Sequence, residues 1–138
     1  MKVVTHAIIS FILALVFYPI VGLYSTIIFF SGFIFDVDHL IWYYIHYKSL
    51  NITKCWEYCN GIGSHRDTKR MVRMFFVFHN WEFILVMLLG GFLWEGFLFI
   101  GIGAGLHLLL DIYDRYRIFG VVIPGSAIHY FLTKPKHF

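Results

Sequence analysis

Asp36, Asp38 and His39 close the apolar stretch Phe33-Ile34-Phe35-Asp36-Val37-Asp38-His39-Leu40. Carboxylates and imidazoles at such short spacing are the donors that Zn, Mn and Fe take. Three more sets of the same residue types follow the same logic. His6 stands near the start of the first apolar run. His79 and Glu82 are three apart, and His107 and Asp111 are four apart. On helices, both pairs would share a face. An ionisable side chain inside a hydrocarbon layer is costly, so each is a functional candidate before it is anything else.

These residues must be positioned by apolar elements. The chain of 138 residues is 59% hydrophobic, 21% aromatic and 14% charged, where soluble domains carry about 25% charge. Mean hydropathy is +0.73. This composition predicts an integral membrane protein and argues against a nucleic-acid-binding or secreted one. The expected fold is all-α, an integral membrane four-helix bundle with cytoplasmic interfacial helices, in one membrane-embedded domain over 1–138. The spans are expected over about 3–18, 23–44, 74–90 and 92–112. Pro19 and Gly22 mark the first turn, and Gly90-Gly91 the last. Met1-Lys2 before an apolar run resembles a signal peptide, but no small-x-small site closes that run, so a retained helix is expected.

The cations assign a topology. In a four-span arrangement the N-terminus, the 46–73 segment and the 113–138 tail share one side, and all 11 Lys and Arg fall there. The positive-inside rule then predicts an inner-membrane protein with both termini in the cytoplasm. Under this topology His6, Asp36, Asp38, His39, His79, Glu82, His107 and Asp111 all come to the cytoplasmic level. Side chains from facing helices build bundle-core metal sites in this way. The expected ligands are His6, Asp36, Asp38, His39, His79, His107 and Asp111. The expected cofactor is Zn, one or two ions, with Mn or Fe as alternatives. Glu82 is a ligand or general base, and Arg66 a clamp for a substrate anion, since guanidinium pairs with phosphate bidentately.

Plainer roles compete for each residue. His6 would serve as an interhelical hydrogen-bond group, Asp36 as a helix end, and Glu82 as a partner for Arg73. The cations Arg66, Lys69, Arg70 and Arg73 would serve as positive-inside charge and attraction for anionic lipid. Gly101, Gly103 and Gly105 suit close helix packing. Cys55 and Cys59 have no second pair with which to close a zinc site and are expected as thiols. His65 and His129 are left open as additional site residues.

The motifs Thr5-His6, Asp36-Val37-Asp38-His39 and Gly105-Leu106-His107-Leu108-Leu109-Leu110-Asp111 resemble the inner-membrane-associated metal-dependent hydrolase family of the LexA-binding type. Members typically carry an H-R-G-x-T-H-S stretch between the second and third motifs. Here His65-Arg66 echoes its start and Phe78-His79-Asn80-Trp81-Glu82 supplies the second His, so the stretch is divided. The family is more distantly similar to the zinc-dependent phospholipase C superfamily. The resemblance implies metal-dependent hydrolysis at the cytoplasmic membrane face, on a phospholipid or another phosphoester, with membrane lipid as partner. A di-iron redox enzyme and a metal transporter or non-catalytic metal-stabilised protein are the competing expectations.

Overall fold

Apolar residues without a helix-breaking run give the chain its helices, and the computed structural model describes residues 3–64, 76–119 and 126–133. Among them are seven helices: α1 (Val3–Val21), α2 (Tyr24–Ile34), α3 (Val37–Tyr47), α4 (Ile52–Ser64), α5 (Trp81–Gly90), α6 (Glu95–Phe119) and α7 (Ala127–Thr133). No strand occurs among the described residues. The fold is therefore all-helical. Three helical segments are long and apolar enough to cross a membrane: Val4–Val21, Tyr24–Tyr47 and Glu95–Asp114. Trp81–Gly90 is apolar but shorter.

Several boundaries differ from those expected. Pro19 lies inside α1 and does not end it. The turn comes at Gly22, whose φ of +57° suits a residue without a Cβ. Within the segment expected over 74–90, the described residues 76–80 are not helical and the helix starts at Trp81, after an extended Asn80 (φ −115°, ψ 139°). The last long helix runs on to Phe119, past the expected end at 112.

α2 packs against both α1 and α6, and α5 packs on α6. Small residues permit the close approach. A Cβ on Gly32 would fall on the Ser10 side chain, and one on Gly103 on Ser31 Oγ. The polarity of this packing is reversed from that of a water-soluble domain. His6, Ser10, Ser25, Ser31, Asp38, His79, Asn80, His107 and Asp111 are buried. Large apolar side chains such as Ile20, Leu23 and Leu15 face outward. An apolar exterior around a polar interior is what a lipid solvent selects.

α2 and α3 are joined by a shallow hinge. Phe35 and Asp36 keep right-handed helical angles, but the hydrogen bonds tighten from four residues to three. Asp36 N donates to Phe33 O (3.3 Å), Asp38 N to Phe35 O (3.2 Å) and His39 N to Asp36 O (3.1 Å). Residues three apart eclipse one another in such a 3₁₀ stretch, which brings Asp36 and His39 to one side. α3 ends at Lys48, which is left-handed (φ 51°). Asn51 Oδ1 then caps α4 by accepting from Lys54 N (2.9 Å). Rings of Trp42, Tyr43, Tyr47 and Tyr58 pack α4 against α3.

Candidate metal centre

Four elements send imidazoles and carboxylates to one point. α1 supplies His6, the α2–α3 hinge supplies Asp36, Asp38 and His39, the turn before α5 supplies His79, and α6 supplies His107 and Asp111. Two groups have donor atoms within 4.8 Å of one another: His6, Asp36, His107 and Asp111, and Asp36, His39 and His79. Asp36 belongs to both. His6, His79 and His107 are at most 2% exposed. His39 is the open edge of the cluster, with 25% of its side chain accessible.

The tightest knot is His79 Nε2, His107 Nε2, Asp36 Oδ1 and Asp111 Oδ2. The two nitrogens are 2.9 Å apart. His79 Nε2 is 3.7 Å from Asp36 Oδ1 and 3.3 Å from Asp111 Oδ2. His107 Nε2 is 3.6 Å and 3.8 Å from the same oxygens. Ligands about 2.0–2.2 Å from a tetrahedral zinc lie about 3.3–3.6 Å from one another. The observed separations straddle that edge length.

The far side of these ligands is held by hydrogen bonds. His107 Nδ1 donates to Gly32 O (2.8 Å). That carbonyl is available because the tightened hinge sends the Asp36 amide to Phe33 O instead. His79 Nδ1 donates to Asp38 Oδ2 (2.9 Å), which also accepts from Phe78 N (3.2 Å). His6 Nε2 donates to Asp111 Oδ1 (3.1 Å), leaving Oδ2 turned toward the other ligands, and the His6 ring stacks on His107 at 4.1 Å. Partners of this kind fix the tautomer and orientation of metal ligands.

The proton positions follow. Gly32 O and the Asp38 carboxylate accept only, so Nδ1 of His107 and of His79 each carry a proton. In neutral imidazoles the two Nε2 atoms then present lone pairs to each other at 2.9 Å. One proton between them would satisfy that pair and leave both carboxylate oxygens out. A metal ion satisfies all four donors at once.

The structure brings His6, Asp36, Asp38, His39, His79, His107 and Asp111 together. It does not bring Glu82. With Asn80 extended, His79 precedes the helix, and the three-residue spacing no longer puts the two side chains on one face. The Glu82 carboxylate instead accepts from Ser126 Oγ (2.5 Å), Ala127 N (3.0 Å) and Ile128 N (3.1 Å). Glu82 thus holds the start of α7. Arg66 and His65 lie outside the described residues. His129 is exposed on α7. Cys55 is buried and donates to His39 O (3.7 Å). The Cys59 side chain is outside those described.

Two contributors were not singled out in the sequence. One is Gly32, through its carbonyl; a glycine one turn before an Asp gives no composition signal. The other is Asn80, which is 6% exposed and donates to Phe76 O (2.5 Å) and Val77 O (3.2 Å). These bonds shape the turn that aims His79 and sets the Phe76 ring 4.2 Å from His39. Asparagine immediately before an apolar helix is a turn and N-cap signal, so this residue was within reach of sequence reasoning.

Comparison with family models, curated proteins and solved structures gave no match. The reading of the site therefore rests on its geometry.

Proposed function

We propose that this chain is a metal-dependent hydrolase of the membrane interface, acting on a phospholipid or another phosphoester. The observation that carries the reading is the four-donor knot of His79, His107, Asp36 and Asp111, with the outer nitrogens of both imidazoles already committed. In this reading α5 makes a fourth, shortened crossing, accommodated by local thinning of the bilayer. The cation placement supports cytoplasmic termini in this reading.

The residues fit zinc in type, two imidazoles and two carboxylates, with nitrogen–nitrogen and nitrogen–oxygen separations of 2.9–3.8 Å. A bound metal would supply an activated water and Lewis-acid stabilisation of phosphoryl oxygens. The chain's own groups do the rest. Asp38 and Gly32 O hold the imidazole rings in the tautomer that ligates. His6 fixes the Asp111 carboxylate. The buried α1–α2–α6 packing excludes solvent behind the site, and the His39 edge leaves one side open to a headgroup. Arg66 is the proposed anion clamp. The carboxylates are Asp, not the Glu of Glu-x-x-His pairs, which favours zinc over a di-iron centre.

The test is hydrolysis of phospholipids in mixed micelles and of soluble phosphodiesters, by zinc-loaded wild type beside His107→Ala. Turnover by the wild type, lost in the variant together with metal, supports the reading. Zinc binding without turnover of any phosphoester overturns it, and stoichiometric iron in aerobically purified protein would favour redox chemistry.

A further inference from the structure

Among the described residues, four buried side-chain atoms have no hydrogen-bond partner: His6 Nδ1, Asp36 Oδ2, Asp38 Oδ1 and His39 Nδ1. Three of the four belong to the α2–α3 hinge. His39 Nδ1 is 3.1 Å from Asp38 Oδ1 and 3.6 Å from Asp36 Oδ1. The nearer oxygen is within hydrogen-bonding distance, yet the ring is not aligned to give it a proton. Asp38 Oδ2 already takes both donors that reach this carboxylate, from His79 and Phe78. Its other oxygen, and the outer oxygen of Asp36, are desolvated without a donor. Leaving buried carboxylate oxygens in that condition is unfavourable.

We propose that a second divalent cation binds here, held by His39 Nδ1, Asp38 Oδ1 and Asp36 Oδ2. Asp36 stands between the two positions: its Oδ1 lies 3.6–3.7 Å from His39 Nδ1, His79 Nε2 and His107 Nε2, and its Oδ2 is the unpartnered oxygen. It belongs to both donor groups, the second of which joins it to His39 and His79. The assignment rests on the first position being a metal site, and it divides the labour between the two. The first position has four protein donors and lies among side chains at most 13% exposed. That is the closed arrangement of a structural metal. The second has three protein donors and the 25% exposed edge of His39. Three protein ligands with a free position define a catalytic zinc. The hinge position is therefore the one that would leave a metal open to water and to a phosphoester.

Asp38→Asn separates the positions. Asn Oδ1 can still accept from His79 Nδ1 and Phe78 N, while its NH₂ group, a donor only, occupies the place of the ligating oxygen. His39→Ala removes the second position from the opposite side. The experiment is a cobalt(II) titration of chelator-stripped full-length protein in detergent, read by visible absorbance and by elemental analysis after desalting. Wild type is expected to take two equivalents, and His39→Ala and Asp38→Asn one each with the tetrahedral cobalt bands retained. One equivalent in wild type overturns the second position and leaves the first standing. Two equivalents in both variants, or none in either, overturns the division into two positions. No binding by wild type overturns the metal centre itself, and the proposed function with it.

Discussion

Replacing Asp38 in two ways gives the sharpest reading of what holds the centre together. Asp38 Oδ2 accepts from His79 Nδ1 at 2.9 Å and from Phe78 N at 3.2 Å. Asp38→Ala removes both bonds, releasing the ring tautomer of His79 and the turn that carries it. Loss of a partner of this kind lowers metal affinity about 10–100-fold, equivalent to about 1.4–2.7 kcal/mol. Asp38→Asn keeps both acceptor contacts on one oxygen, at about half the strength of charge-assisted bonds. Its cost at the first metal position should therefore stay below about tenfold. Competition against a fluorescent zinc chelator, in the same detergent for all three proteins, measures the difference. Equal losses in the two variants would refute the claim that Asp38 acts at the first position through His79. Wild-type affinity in Asp38→Ala would refute any role for it.

Acid should release the metal, because ligating imidazoles must be unprotonated; equilibrium dialysis should retain less metal at pH 5 than at pH 8. Gly103→Ala places a Cβ on Ser31 Oγ and 2.7 Å from Ile28 O; it should destabilise the bundle by about 1–3 kcal/mol, with partial recovery in the Ser31→Ala background, read as melting temperature. Glu82→Ala should expose α7 to limited proteolysis, since three hydrogen bonds at its start are lost, while metal content stays at the wild-type value. Cysteine introduced at Phe92, in the α5–α6 turn and 89% exposed, should be labelled by an impermeant reagent in intact cells, whereas one at Asn51 should require lysis.

Much of the arrangement was legible because lipid-facing helices and inward-facing ionisable residues are written in different residue types. His107 and Asp111 could be placed on one face because α6 is a regular helix through both, and four spacings fit it. His79 and Glu82 could not, because their relation depends on Asn80 leaving the helical region, a choice made by bonds to Phe76 O and Val77 O that spacing alone does not encode. Pro19 was read as a breaker, yet it stays in α1, where the chain turns at Gly22 instead. The hinge at Phe35–Asp36 was hidden for the converse reason: its angles remain helical, and only the shift to three-residue hydrogen bonds frees Gly32 O for His107.

The most direct test of the centre is X-ray absorption at the metal edge of the purified, zinc-loaded wild type, with metal content measured on the same sample. The account predicts bound zinc with only nitrogen and oxygen neighbours at about 2.0–2.2 Å, and multiple-scattering features of imidazole that diminish in His107→Ala. A protein that binds no metal, or one whose zinc has sulfur neighbours at about 2.3 Å, would contradict it.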